Sequence, residues 1–201
     1  EVKQLTRKGY FNIISFDVHK GEILGFCGLM GAGRTEIMQS IFGIDPVDSG
    51  EIYLYGKPID TSSTKKSIEN GLAMVTEDRL RRGAIHRLSV RENISLAYLR
   101  EISKNGFIDF QQEHEDCEQT IKSMEIKVAS MEQEIGSLSG GNQQKAIIGK
   151  WLLTSPEVLI LDEPTRGIDV GSKSEIYKLI GELAGQGKAI IIVSSELPEV
   201  M

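Results

Sequence analysis

Cysteine is almost missing: Cys27 and Cys117 are the only two in 201 residues, too few for the disulfide framework of a small secreted domain. One falls in an apolar run and the other on the apolar side of a helical pattern, so both are expected as reduced core residues. Histidine is nearly as scarce, and His19, His86 and His114 make no metal-ligand spacing, which argues against a zinc centre. No stretch approaches the roughly 20 apolar residues of a membrane helix. No basic, apolar leader opens the chain, and a cytosolic setting is expected. An excess of basic residues is absent too: the net charge of −6 argues against nucleic acid as the main partner. Internal repeats and low-complexity segments are lacking. What remains is globular in composition, 40% hydrophobic and 26% charged, and long enough for one domain or a domain with a subdomain.

Glycine, by contrast, is plentiful, and three glycines organise the chain. The apolar run Ile23-Leu24-Gly25-Phe26-Cys27 reads as a strand buried on both faces. A loop follows, Gly28-Leu29-Met30-Gly31-Ala32-Gly33, and then Arg34, Thr35 and Glu36 open a helical pattern carrying Ile37, Met38 and Ile41 on one side. Strand, glycine loop and helix in that order build a phosphate cradle. Glycine lets successive N–H groups turn inward, and the helix start adds its positive dipole end. The spacing matches the P-loop pattern except that arginine stands in the lysine position.

Around this loop, strand and helix patterns alternate. Residues Glu1 to Lys20 carry β-type alternation around Ile13–Val18. Further strands are expected at Glu51–Tyr55, Leu72–Val75, Val158–Leu161 and Lys188–Val193, with a short helix over Thr64–Asn70. From Arg82 to Gly136 the segment is polar and helical in pattern. Ser89-Val90-Arg91-Glu92 is a capping box expected to start a helix with Ile94, Ala97 and Tyr98 inward, and Cys117, Ile121 and Met124 lie on another. The expected organisation is an α/β core (1–81 and 137–201) with an inserted helical subdomain (82–136).

Two stretches complement the cradle. The strand ending in Asp162-Glu163 is the usual second half of a P-loop nucleotidase: Asp162 would hold Mg²⁺ through water, with the Thr35 hydroxyl as a direct ligand, and Glu163 would orient or deprotonate the attacking water. Taken alone, such a pair reads equally as a solvated strand end. In Leu138-Ser139-Gly140-Gly141-Asn142, small residues precede a helix and leave N–H groups and a hydroxyl suited to a phosphate; an ordinary glycine-rich helix cap would look the same.

LSGGN followed by QQK, then VLILDEPTRGIDV, resemble the signature motif, Walker B and D-loop of the ATP-binding cassette (ABC) family. GLMGAGRTE, VTEDR, LSGGNQQK and VSSE resemble the second cassette of tandem ATPase subunits of bacterial monosaccharide importers, in the ribose and galactoside group. The resemblance implies a RecA-like P-loop NTPase core with an antiparallel β subdomain and the inserted helical subdomain. It implies ATP and Mg²⁺ as ligands, bound through residues 28 to 36 and 138 to 142. It also implies a chain that ends before the family's last strands. Implied partners are a second cassette, fused upstream, a membrane permease and, indirectly, a periplasmic or lipoprotein sugar-binding protein. The implied place is the cytoplasmic face of the membrane, through the permease, to which Arg79, Arg81 and Arg82 could turn; a solvated charge run is the plainer reading of these three.

Against the family pattern, Arg34 replaces the P-loop lysine, Glu77 the Q-loop glutamine and Ser195 the switch histidine. Arginine keeps the charge, but its planar fork does not reproduce a compact ammonium between phosphates. Serine is too short for a histidine's reach. These departures imply a site that binds nucleotide but turns it over poorly, while the signature completes the partner cassette's site. A non-catalytic half that only supports dimerisation is the alternative, and a soluble ABC protein of DNA repair or translation a more distant one. Tyr10 or Phe11 is the candidate for stacking on adenine, or either is a core aromatic.

Overall fold

A computed structural model describes residues 1–29 and 31–197. In chain order, β1 (Val2–Arg7), β2 (Phe11–Phe16), β3 (Ile23–Cys27), α1 (Arg34–Ile41), β4 (Ser49–Leu54), β5 (Lys57–Pro58), α2 (Thr64–Glu69) and β6 (Leu72–Val75) come first. A π-helical turn (Arg79–Gly83), α3 (Val90–Ser95), β7 (Ser103–Lys104), β8 (Phe107–Ile108), α4 (Phe110–Ser123) and α5 (Gly140–Leu152) follow. The series closes with β9 (Val158–Asp162), α6 (Val170–Gly185) and β10 (Ala189–Ser194). The chain forms two compact units: one of 1–74, 156–163 and 181 onward, the other of 75–155 and 164–180.

The first unit is built on a parallel sheet of order β3-β10-β9-β6. Its central strands are continuous apolar runs, and Leu159, Ile160, Leu161 and Ile190 are wholly buried, as expected for strands covered on both faces. The register pairs Cys27 with Ser194 and Asp162 with Val193, so β3, β9 and β10 end at one level. β3 departs from expectation: among the described residues it pairs with β10 alone, and its exposure alternates along the strand. Ile23 is 43% exposed and Cys27 is exposed as well, so of the two cysteines expected in the core Cys117 alone is buried. An apolar run does not distinguish a central strand from an edge one.

A second, antiparallel sheet of order β2-β1-β4-β5 lies in the same unit. Val2, Leu5, Phe11 and Ile52 supply its buried face. The β-type alternation expected over residues 1–20 resolves into β1 and β2, whose pairing register shifts on either side of Leu5. Gly50 (φ +107°) is required where β4 crosses β1, since a Cβ there would lie 2.5 Å from the Leu5 Cα.

In the second unit the capping box forms in full. Ser89 Oγ accepts from the Glu92 amide at 3.1 Å, and the Glu92 carboxylate accepts from the Ser89 amide at 2.7 Å. Helix α3 ends at Ser95, so Ala97 and Tyr98 lie beyond it rather than on its inner face. Ile94 and Cys117 are fully buried and Met124 nearly so. Arg91 bridges Glu113 and Glu132 at 2.5 and 2.7 Å, and Ser95 Oγ donates to Glu113 at 2.6 Å, so the buried carboxylate is paired. The helical pattern concealed a β-hairpin, β7–β8, that turns on Asn105-Gly106 with both residues at positive φ.

Candidate nucleotide site

The glycine loop leaves β3 and enters α1 through Gly31 and Gly33, both left-handed (φ +80° and +81°). Gly33 is the N-cap of α1 and offers no side chain, so the first-turn amides of Arg34, Thr35 and Glu36 have no capping acceptor. This is the arrangement an anion satisfies. Met30 lies outside the described residues. Leu29 is 85% exposed at the loop's outer edge, so it offers backbone rather than side chain.

At the level where the parallel strands end, Arg34, Thr35, Asp162, Glu163 and Ser195 come together. Arg34 lies back against the loop. Its guanidinium donates to the Ser194 carbonyl at the end of β10, reaches the Leu29 carbonyl at 3.4 Å, and stands 3.8 Å from Glu163. Both partners of that ion pair are 11% exposed. On the other side, Ser195 Oγ donates to Glu163 Oε2 at 3.3 Å. The chain turns at Glu163 through a left-handed conformation (φ +48°), pinned by its amide to the Val193 carbonyl at 2.8 Å. Non-glycine residues rarely adopt it, and such strain persists where the surroundings fix it.

Asp162 is completely buried and neither carboxylate oxygen has a hydrogen-bond partner. Burial pushes its pKa up to about 6. The Thr35 hydroxyl pulls it back without closing a full hydrogen bond, Glu163 and Glu36 raise it further, and Arg34 opposes them. An orphaned buried carboxylate beside a hydroxyl is a pair of hard oxygen donors, and it fits Mg²⁺. Asp162 and Thr35 would hold the ion, which supplies neutralisation of phosphate charge when bound.

The second unit presents the other glycine motif. Ser139 is the N-cap of α5, and it is exposed, while Leu138 is buried and anchors the motif. The Ser139 hydroxyl makes no capping bond; Asn142 Nδ2 donates to it at 2.9 Å, and Asn142 Oδ1 accepts from the Lys127 amide at 2.8 Å. The amides of Gly140 and Gly141 are therefore free of side-chain caps. Gly141 admits no side chain, since a Cβ would come within 2.6 Å of Ser172.

The profile of the family described as ABC transporter matches residues 11–166. The chain belongs to the ABC transporter family. The ribose import ATP-binding protein RbsA of Geobacillus kaustophilus is 52% identical over 200 residues. A ribose/galactose/methyl galactoside import ATP-binding protein of Pseudomonas fluorescens is 51% identical over 201. Each alignment covers the whole chain, and the chain spans about two fifths of the length of these curated relatives (40% and 39%). Among solved structures, cbiO1 of Clostridium perfringens, part of the ABC transporter complex cbiONQ, superposes with a TM-score of 0.79 at 25% identity, over all of this chain and 79% of that one. A dimeric bacterial ABC transporter cassette gives 0.80 at 20% identity, over 99% and 89%. The fold is that of a P-loop NTPase cassette.

Within the cassette, Glu77 belongs to the second unit, and its carboxylate is paired with the Arg166 guanidinium. Arg166 lies within the VLILDEPTRGIDV stretch, where it carried no role of its own. The signal for it was the unneutralised acid at 77, which called for a cation. Arg79 packs against the start of α5, where a Cβ on Gly140 would lie 3.2 Å from its guanidinium, and two of its nitrogens are buried without acceptors. Of the two candidates for a base platform, Phe11 is buried in the core and Tyr10 is 58% exposed. The Tyr10 carbonyl abuts Gly33, 3.4 Å from where a Cβ would sit. Among the described residues no helix is long and apolar enough to cross a membrane.

Proposed function

We propose that this cassette belongs to a monosaccharide importer of the ribose or galactoside type, that it binds Mg-ATP weakly at its own P-loop, and that its signature serves the nucleotide of a second cassette. Members of the ABC family couple ATP binding and hydrolysis to transport. The observation that carries the division of labour is Arg34, whose guanidinium is spent on the Ser194 carbonyl and faces the catalytic carboxylate candidate, Glu163. A nucleotide entering the cradle must displace it. Ser195 reaches Glu163 but offers no ring to bridge onward to a phosphate. Arg34 and Ser195 therefore both engage Glu163 instead of a ligand.

The signature carries no such departure. Ser139 and the free amides of Gly140 and Gly141 are open to a triphosphate presented by a partner. The partners in this arrangement are a second cassette fused upstream, a permease that holds both at the cytoplasmic face of the membrane, and a sugar-binding protein beyond it. The names of the relatives, import proteins for ribose or for ribose, galactose and methyl galactoside, support the sugar class. The test is nucleotide binding and turnover by the 201-residue chain alone. Weak, Mg²⁺-dependent ATP binding with negligible hydrolysis is expected; robust turnover would refute a degenerate site.

A further inference from the structure

Tyr10 does not stand alone. The Arg7 guanidinium lies 3.9 Å from the centroid of its ring, within the range of a cation–π contact. Arg7 is itself held: Nη1 donates to Asp45 Oδ2 at 2.6 Å, and the two side chains are only 16% and 26% exposed. The backbone fixes the pair from beneath. The β1–β2 turn closes through the Tyr10 amide to the Arg7 carbonyl at 3.0 Å with Gly9 left-handed, and the Lys8 amide donates to Asp48 at 2.7 Å. Asp45 and Asp48 both lie just past α1, where the Ile44 and Asp45 amides return to the Gln39 carbonyl at 2.9 and 3.3 Å. The P-loop helix thus touches this turn twice, through Gly33 at its start and Asp45 beyond its end.

An exposed tyrosine at a hairpin tip has two side-chain torsions free and no reason to keep one orientation. Arg7 removes that freedom by covering one ring face, which leaves the other for a flat partner. Resting on the nucleotide reading of this cassette, we propose that Arg7 is a positioning residue for the nucleotide base: anchored by Asp45, it holds the Tyr10 ring as the platform on which a purine stacks. It touches no phosphate, so its contribution belongs to the base alone.

The experiment is calorimetric titration of the chain with Mg-ATP and, separately, with inorganic tripolyphosphate, which has the phosphates and no base. Tyr10→Ala removes the platform and is expected to weaken ATP roughly 5- to 100-fold. Arg7→Ala removes only its support and is expected to weaken ATP roughly 2- to 5-fold. Neither changes tripolyphosphate affinity, Tyr10→Phe binds ATP as the parent does, and Arg7→Ala adds nothing on a Tyr10→Ala background. Arg7→Lys, which retains the Asp45 pair and therefore the fold of the turn, is expected to lie between parent and Arg7→Ala. Three results would overturn the proposal: unchanged ATP affinity in Arg7→Ala, an equal loss for tripolyphosphate, or losses that multiply in the double variant. A parent chain that binds neither ligand overturns the nucleotide reading itself and this role with it.

Discussion

At the scale of single residues, Asp162 shows what an unpaired buried carboxylate costs the fold. Its carboxyl is raised from 3.8 to about 6, chiefly by burial. Between those values the folded chain holds a proton that the unfolded chain gives up, so stability falls as pH rises through the window and stays reduced above it. At neutral pH the buried charge costs of the order of 2–3 kcal/mol. Asp162→Asn is therefore expected to raise the melting temperature of the nucleotide-free chain by several degrees at pH 7, with the gain shrinking toward pH 4. The same substitution is expected to abolish the Mg²⁺ dependence of ATP binding. Melting curves at the two pH values check the first, and a lower melting temperature at pH 7 would contradict it. The identities of Arg34, Thr35, Asp162 and Glu163 were legible in the sequence because glycine spacing and a strand ending in two acids have few other uses. What Arg34 does with its guanidinium was not. Its partners are a carbonyl 160 positions away and an acid just past the end of β9, and neither is visible before the sheet is assembled.

Among the elements, α5 and the turn that precedes the helical insert behave as one packed piece. Gly83 is pressed against Ile147, where a Cβ would come within 2.9 Å, and the Lys150 ammonium donates to the Gly83 carbonyl at 2.7 Å in a buried setting. Burial lowers Lys150 from 10.5 to about 8. Between pH 8 and 10.5 the unfolded chain binds the proton and the folded chain does not, so this group makes stability rise with pH there and is without effect on the slope below 8. Cys117 acts in the opposite sense, since burial raises its thiol from 9.0 to about 12 and stability falls through that interval. Comparing the parent with Lys150→Met cancels the thiol. The difference in unfolding free energy is expected to shift in favour of the parent by up to about 3 kcal/mol between pH 7.5 and 10.5, measured by denaturant titration; parallel pH curves would show that Lys150 is not desolvated. Elements with a chemical marker were readable in advance: the Ser89–Glu92 capping box, and α1 from Ile37, Met38 and Ile41 on one side. The π-helical turn and the β7–β8 hairpin were not, because a five-residue turn has no period and two-residue strands have no alternation. The Asn105-Gly106 pair was the overlooked cue.

At the scale of the whole molecule, the chemistry is divided between the two compact units. The cradle, Asp162, Glu163 and Ser195 belong to one; Glu77, Arg166 and the signature belong to the other. The alternation of apolar runs with helical patterns announced the parallel sheet, and the family motifs announced the cassette. Periodicity could not announce that β3 lies at a sheet edge, because edge and centre differ in neighbours, not in local pattern. In the proposed pair of cassettes, Ser139 serves the partner's nucleotide, whereas Glu163 serves the weak site in its own cassette. Losing a group that stabilises the transferring phosphoryl costs about 2.7–4 kcal/mol, or roughly 10²–10³-fold in rate, and much less where the site contributes little turnover. The deciding measurement is steady-state ATPase of the complete two-cassette protein with its permease at saturating Mg-ATP, for Ser139→Arg and Glu163→Gln side by side. The division of labour predicts near-abolition by Ser139→Arg and retention of much of the activity by Glu163→Gln; equal damage by both would mean that this cassette hydrolyses ATP itself.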